Sequence, residues 1–335
     1  MSTPPHRRTA ALVAGTLTIL TLLATACSST GGKPENTGGS MAAGTADTPR
    51  ATIAMITHGV PGNAFWDVVR RGAETAAAKD NIELRYSSDP QAPNQVNLVQ
   101  SAIDSKVDGI AVTLAKPDAM AAGVRAALDA GIPVVGLNSG FDAWQEMGVQ
   151  QYFGQDEKIA GQAAGKRLSD EGARRVLCII HEQGNVSLES RCAGVTETLT
   201  GGTVEILNVN SQDPPSVEAA LTAKLQQDPS IDHIVTLDSS IGHIAVQSKA
   251  TVGTDATIVT FGADPELVKE IKNGDVAWAN DQQPFLQGYL AVDSLWLYLN
   301  NGNTIGGGQA VLTGPTFIDK SNIDAVSEYA TNGTR

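Results

Sequence analysis

The side chains that could do chemistry cluster directly after short apolar runs. Each of five polar stretches begins where an apolar run ends: residues 58–66, 138–141, 182–191, 238–240 and 262–264. They hold mostly neutral hydrogen-bonding groups, with a few charges and aromatic rings. A carboxylate accepts protons from neighbouring hydroxyls, an arginine donates through a planar fork, and a flat ring covers apolar C–H surface. This inventory suits the binding of a polyhydroxylated molecule better than it suits a reaction.

Sequence signatures of α/β enzymes are missing. No G-x-G-x-x-G follows the first apolar run, and neither a P-loop nor a G-x-S-x-G elbow occurs. The five histidines are dispersed and do not combine with cysteines or acids at zinc-ligand spacing. Adjacent acids such as Asp156 and Glu157 diverge on most backbones, which favours solvated or capping roles over acid–base catalysis. We therefore predict no enzymatic activity, no metal and no cofactor.

The elements that must position the polar stretches are alternating strands and helices. The run "ATIAMITHG" predicts a buried strand, and "AFWDVVRRGAETAAAKDN" repeats its apolar residues at helical spacing. The alternation continues through the strand-like runs "IELRYSS", "GIAVTLA", "PVVGLNS", "GARRVLCIIHEQ", "TVEILNVN", "HIVTLDS" and "TIVTFGA". This pattern predicts parallel sheets with right-handed crossovers and helices on both faces. Ligands bind such sheets beyond the carboxyl ends of the strands, where the polar stretches lie.

Length and charge narrow the class of protein further. A chain of 335 residues is long enough for two domains. The net charge of −13 and the scarcity of lysine and arginine clusters argue against a nucleic-acid partner, because phosphates require a basic face.

The first 27 residues have the pattern of a secretory signal. A short basic segment precedes the apolar run "TAALVAGTLTILTLLATA", which ends in small residues before Cys27. The segment "LATAC" resembles the lipobox of bacterial lipoproteins, with Ala24 in place of the usual Leu or Val. A plain cleaved signal and a membrane-spanning anchor are the alternatives. Residues 28–50 predict a flexible linker. We expect the protein outside the cell, anchored to the outer face of the membrane by lipid at Cys27.

Cys178 and Cys192 are the remaining cysteines. The first lies in a strand-like run and the second in the helix that follows it, so outside the cell they could pair in a disulfide. Two buried thiols fit the sequence as well.

Five segments that occur in order resemble one known family. They are "PGNAFWDVVRRGAE", "PVVGLNSGFD", "YFGQDEKIAGQAAGKRL", "ESRCAGV" and "NDQQPFLQGYLAV". They resemble the type I periplasmic sugar-binding proteins, which include the ribose-, galactose- and inositol-binding receptors of ABC importers. The resemblance implies an α/β fold of two Rossmann-like lobes with parallel sheets, joined by a hinge of three crossings. Its N-terminal lobe would comprise residues 51–154 and 284–312, and its C-terminal lobe residues 155–283 and 313–335.

The resemblance also implies a ligand site shared by both lobes. The residues that match the family's ligand positions are Asn63, Phe65, Trp66, Asn138, Asp156, Arg191, Asp238 and Gln282, with His58 and Asn185 beside them. Three of these have alternative roles. Arg191 could be a surface residue of its helix, Asp238 a helix N-cap, and Gln282 an amide that fixes the hinge.

The sequence departs from the ribose-binding pattern in three places. Ser139 replaces an arginine, Gly262 replaces an aspartate with Asp264 displaced by two residues, and "DPPS" lacks an aromatic residue near position 214. The predicted ligand is therefore a small sugar or polyol, such as another pentose, a cyclitol or a sugar alcohol.

By resemblance, the chain would be a monomeric solute-binding lipoprotein that delivers this ligand to the permease of an ABC importer. A receptor of the same fold that presents a sugar or autoinducer to a membrane sensor is the main alternative. The effector domain of a repressor is disfavoured by the secretory start. An extracellular carbohydrate-modifying enzyme is the remaining alternative.

Overall fold

A computed structural model describes residues 44–335 of the chain. The predicted signal, Cys27 and the first part of the predicted linker lie outside the described residues. In the described part, no helix is both long enough and apolar enough to cross a membrane.

The first lobe is built on a six-stranded sheet. Its strands are β1 (Ala51–Thr57), β2 (Ile82–Ser88), β3 (Gly109–Val112), β4 (Val134–Leu137), β5 (Tyr152–Gly154) and β11 (Val311–Leu312). They lie in the order β11-β5-β4-β3-β1-β2, and every pair is parallel. The helices of this lobe are α1 (Ala64–Lys79), α2 (Ala92–Asp104), α3 (Pro117–Asp129) and α9 (Pro284–Asn301). A short 3₁₀ turn, Gly306–Gly308, precedes β11.

Both faces of this sheet are covered, as the nearly continuous apolar strands require. Successive side chains of a strand point to opposite faces. Ile53 and Met55 of β1 accordingly join a core with α1 and α9, whereas Ala54 and Ile56 join a core with α2 and α3. Because helices cover both faces of the sheet, a ligand site can form at the edge where the carboxyl ends of the strands lie.

The second lobe repeats this plan. Its strands are β6 (Arg175–Ile180), β7 (Thr203–Asn208), β8 (His233–Thr236), β9 (Thr257–Phe261), β10 (Trp278–Asp281) and β12 (Thr316–Asp319), in the order β12-β10-β9-β8-β6-β7. Its helices are α4 (Glu157–Asp170), α5 (Val186–Thr198), α6 (Pro214–Gln227), α7 (Ser239–Val252), α8 (Pro265–Asn273) and α10 (Ile323–Thr331).

One strand pair differs from the parallel pairing that the sequence predicts. β12 runs antiparallel to β10, with Asp281 opposite Thr316. The chain leaves the second sheet at the end of β10 and re-enters it at the start of β12, on the same side of the lobe. A strand that enters where its neighbour ends must run in the opposite direction.

The chain passes between the two sheets three times, after β5, after β10 and after β11. Thr313 N donates to Gly154 O at 2.7 Å, which ties the third connection to the first. A Cβ atom on Gly314 would lie 2.8 Å from Gln155 Oε1 and 2.9 Å from Asp281 O. The three connections therefore pack around a residue that has no side chain, and together they form a compact hinge.

Cys178 of β6 and Cys192 of α5 form a disulfide, with Cα atoms 6.0 Å apart. Both residues are buried. The bond closes the loop that contains residues 182–191, one of the five polar stretches. A cross-link of this kind restricts the chain that it encloses.

Candidate functional site

A cavity of about 380 Å³, lined by both polar and apolar side chains, lies between the lobes, beyond the carboxyl ends of the strands. Nine of the ten residues predicted as ligand contacts line it: His58, Asn63, Phe65, Trp66, Asn138, Asn185, Arg191, Asp238 and Gln282. Parallel strands end at one edge of each sheet, so residues far apart in sequence meet there.

Asp156 is the predicted residue that the structure does not place in the cavity. Its carboxylate accepts a hydrogen bond from Ile159 N at 3.0 Å and caps the N-terminus of α4. The capping bond points the side chain at the helix backbone. The next residue, Glu157, is buried instead, so adjacent carboxylates at the start of one helix have different environments.

Arg191 is held by Glu157. Its Nε donates to Glu157 Oε2 at 2.5 Å and its Nη2 to Oε1 at 2.9 Å, while Nη1 donates to Leu237 O at 3.0 Å. The guanidinium lies 4.8 Å from the ring centre of Phe261. Because Arg191 is only 3% exposed, it is not a helix-surface residue. Three of its five N–H groups are used, which leaves two to donate into the cavity.

The aromatic wall comes from the start of α1. Asn63 caps this helix by accepting from Phe65 N at 3.0 Å. Trp66 packs edge-to-face against His58 at 4.8 Å and against Phe65 at 5.1 Å between ring centres. A Cβ atom on Gly59 would lie 2.6 Å from Trp66 Cγ, so glycine is required for this position of the ring. Phe65 belongs to the lobe core as well as to the cavity wall, whereas Trp66 is half-buried.

Asp238 lies across the cavity from this wall. Its Oδ1 caps α7 by accepting from Ser240 N at 2.9 Å, and it also accepts from the Ser240 hydroxyl. Asn63 Nδ2 of the other lobe donates to the same oxygen at 3.3 Å. Within residues 44–335, Oδ2 accepts no hydrogen bond. The capping role is therefore compatible with one free carboxylate oxygen for a ligand.

An amide cluster joins the cavity to the hinge. Asn138 has a positive φ of 65°, which asparagine tolerates better than most residues. Its Nδ2 donates to Gln282 Oε1 and Gln287 Oε1, both at 3.2 Å, and Gln287 Nε2 donates to Thr313 Oγ1 at 3.1 Å. Gln282 thus contacts the hinge network. In the described part of the chain, its Nε2 has no protein acceptor and remains a donor.

Glu182 lines the cavity but was not predicted from the sequence as a ligand contact. It lies in the polar stretch of residues 182–191. Its Oε2 accepts from Asn185 Nδ2 at 3.0 Å, and Lys116 Nζ of the first lobe lies 3.0 Å from Oε1. Burial acts to raise the pKa of Glu182, but His58, Asn185 and Lys116 outweigh it and hold the pKa below the usual value. The side chain is therefore a carboxylate at neutral pH.

The carboxylate of Asp264 contacts groups outside the cavity. It caps α8 by accepting from Leu267 N at 2.9 Å and lies 3.1 Å from Nε2 of His243, whose Nδ1 lies 2.8 Å from Glu270 Oε2. Burial favours a lower pKa for His243, but the two carboxylates raise it to about 10. Burial favours a higher pKa for Asp264, but His243 and other donors lower it to about 2. Asp264 is therefore paired with an imidazolium and does not line the cavity.

The chain is similar to known proteins over most of its length. A family model described as "Periplasmic binding protein domain" matches residues 53–304. A carbohydrate transporter of Acidothermus cellulolyticus 11B, solved in complex with myo-inositol, is 53% identical with a TM-score of 0.84, covering 86% of this chain and 100% of that chain. The chain belongs to the type I periplasmic sugar-binding proteins.

Two further relatives of this binding protein are named as sugar-binding proteins. The xylose/arabinose-binding protein of Sulfolobus acidocaldarius is 26% identical over 294 residues, covering 82% of this chain and 72% of the relative. The D-ribose/D-allose-binding protein of Pseudomonas aeruginosa is 24% identical over 258 residues, covering 71% of this chain and 79% of the relative. The family is one of sugar-binding transport proteins, which are not enzymes.

Replacement of Glu157 tests the buried ion pair of this binding protein. Glu157→Gln removes the charge that faces Arg191 and leaves a buried guanidinium uncompensated. We expect the free energy of unfolding to fall by about 3 kcal/mol or more, measured by urea unfolding. The matched control is Glu197→Gln, which breaks the exposed pair of Lys158 and Glu197 and should cost less than about 1 kcal/mol. Equal losses in the two variants would contradict the role assigned to Glu157.

The pH dependence of stability tests the pairing of His243. Its pKa is raised from 6.5 to about 10, so its contribution is fully present below pH 6.5 and disappears as the pH rises toward 10. We expect the urea midpoint of the wild type to fall more steeply over this window than that of His243→Gln, which has no imidazole to titrate at this position. Parallel pH profiles for the two proteins would show that His243 is not stabilised by its carboxylates.

Proposed function

We propose that this protein is an extracytoplasmic solute-binding lipoprotein of an ABC importer. It captures a small sugar or polyol between its two lobes and delivers it to the permease, and lipid at Cys27 anchors it to the outer face of the membrane. The observation that supports this proposal most directly is the cavity between the lobes, which gathers nine of the residues matched to the family's ligand positions or their neighbours.

The free hydrogen-bonding groups of the cavity suit hydroxyl ligands. Arg191 has two spare N–H groups and Gln282 has a free amide donor, whereas Asp238 Oδ2 is a free acceptor. A hydroxyl group both donates and accepts, so a polyol can pair with donors and acceptors that converge from several sides. The ring of Trp66 offers an apolar surface for the C–H face of such a ligand. Closure of the lobes excludes water, which strengthens these bonds together.

A cyclitol is the first ligand to test. The relative from Acidothermus cellulolyticus, 53% identical, was solved with myo-inositol. The cyclitol myo-inositol is a neutral ring with a hydroxyl on every carbon. Its hydroxyls point outward around the ring, so they can pair with the free groups of Arg191, Gln282 and Asp238. Pentoses and sugar alcohols offer the same chemistry with fewer or differently placed hydroxyls.

A binding role without catalysis is also part of this proposal. The family to which the chain belongs is one of sugar-binding transport proteins, which are not enzymes. The cavity acids also have structural roles, because Glu182 is paired with Lys116 and Asp238 caps a helix through Oδ1.

Ligand-induced stabilisation tests the proposed function. The purified protein is heated with myo-inositol, other cyclitols, pentoses, hexoses and alditols, and the Tm is read from tryptophan fluorescence. A ligand at a hundredfold excess over its Kd stabilises the protein by about 2.7 kcal/mol, which shifts the Tm measurably. The absence of a shift with every compound would refute the carbohydrate assignment.

Removal of the Trp66 ring tests the aromatic wall. In Trp66→Ala we expect affinity for the bound polyol to fall about tenfold or more, measured by calorimetry, because the C–H face of the ligand loses its cover. The fold should remain, because Trp66 is only half-buried. Trp296→Phe, which changes a tryptophan outside the cavity, is the control and should keep the affinity. Loss of stability with unchanged binding would place Trp66 in the core instead.

A further inference from the structure

A buried hydrogen-bond network lies behind the cavity wall of the first lobe. His58 follows β1, and its Nδ1 lies 2.7 Å from Thr113 Oγ1. The backbone N of His58 donates to the same hydroxyl at 3.0 Å, and Gln95 Nε2 donates to it at 3.1 Å. All three residues are buried, and Thr113 is 0% exposed. Thr113 and Gln95 do not line the cavity, and the sequence did not identify either of them.

The proton positions in this network follow from its donors. Gln95 Nε2 also lies 2.9 Å from the backbone oxygen of Thr113, which can only accept, so this end of the amide is the donor. A hydroxyl has two lone pairs and one proton. Both lone pairs of Thr113 Oγ1 are taken, by His58 N and by Gln95 Nε2. Its proton must therefore go to His58 Nδ1, and the neutral imidazole then carries its own proton on Nε2.

The second lobe places another donor opposite this nitrogen. His58 Nε2 lies 3.4 Å from Asn185 Nδ2. Asn185 Oδ1 accepts from Ser187 N at 3.0 Å and Nδ2 donates to Glu182 Oε2 at 3.0 Å, so the orientation of this amide is also determined. Two N–H donors then face each other across the lobes and cannot bond to one another. The hydroxyl oxygen of a bound ligand can accept from both.

We propose that Thr113 is a positioning residue that holds His58 as the Nε2–H tautomer, so that His58 and Asn185 donate from opposite lobes to one hydroxyl oxygen of the ligand. This inference rests on the proposed function, since the ligand is taken to be a polyol. The carboxylate of Glu182, 3.9 Å from His58 Nε2, is the nearby acceptor for the proton of that hydroxyl. The two converging N–H donors favour a hydroxyl oxygen, which accepts from both, over an ammonium nitrogen, which has no lone pair to accept with.

The tautomer is measured first, without ligand. In the ¹⁵N-labelled protein, long-range ¹H–¹⁵N correlation distinguishes a protonated from an unprotonated ring nitrogen. We expect the wild type to show His58 protonated on Nε2. Thr113→Val, which removes only the hydroxyl, should show a mixed or altered protonation pattern, and Thr113→Ser should restore the wild-type pattern. A purely structural role of Thr113 would leave the ring signals of His58 unchanged.

Binding is measured next, with myo-inositol and its monodeoxy and amino-deoxy analogues. We expect Thr113→Val to bind myo-inositol about tenfold more weakly than the wild type. For one ring position, loss of the hydroxyl should cost the wild type more affinity than it costs Thr113→Val, because the two changes remove the same bond. The amino analogue at that position should bind the wild type more weakly than myo-inositol does. Thr198→Val removes a part-buried hydroxyl that donates to Gln162 O at 2.9 Å, outside the cavity, and serves as the control.

The outcomes separate this inference from the proposed function. Protonation of Nδ1 in the wild type, or equal affinities of Thr113→Val and Thr113→Ser, would overturn the inference. If Thr113→Val does not fold, His58→Phe and His58→Gln replace it, since only the glutamine can donate, and equal binding by these two would also overturn it. Failure of the wild type to bind any polyol would refute the proposed function and the ligand part of the inference, while the spectrum decides the tautomer independently.

Discussion

In each lobe, two helices pack with their backbones in contact, and this packing fixes the positions of the helix starts that carry side chains of the site. In the first lobe, α1 crosses α9 at Gly72 and Gly288, where a Cβ atom on either residue would overlap the carbonyl oxygen of Phe285 or Val69. Only glycine permits such contact between backbones. This packing fixes the start of α1, which carries the aromatic wall, relative to the start of α9, which carries the amide of Gln287.

The second lobe uses the same device for its charged group. Gly161 of α4 faces the carbonyl oxygen of Arg191, and Gly194 of α5 faces that of Lys158, both too closely for a side chain. The two helices are thereby held near enough for Glu157 to reach the guanidinium of Arg191 with two hydrogen bonds. A buried charge is tolerated only when such a partner is in place. The position of the spare N–H groups in the cavity therefore depends on two glycines that never touch it.

Much of this arrangement could be predicted from the sequence, because the strands are short apolar runs and their polar ends must meet at one edge. The apolar run before His58 and the helix of Phe65 and Trp66 are examples, and both occur where predicted. The burial of Glu157 rather than Asp156 could not be predicted, because neighbouring carboxylates differ only in which way the helix start turns them. The pairing of His243 with Asp264 depends on contact between α7 and α8, which no local pattern encodes.

Under the proposed function, closure of the lobes would depend on a ligand. The lobes touch directly through few polar contacts, among them Lys116 with Glu182, Asn63 with Asp238, and Val186 N with Ala115 O. The ion pair of Lys116 and Glu182 is partly exposed and contributes little, because water competes for both partners. The groups with unused hydrogen bonds lie in the same interface, and in the closed form water no longer satisfies them freely. Under the proposed function, a polyol that pairs with them would remove that cost, so it would favour closure by its differential affinity for the closed form.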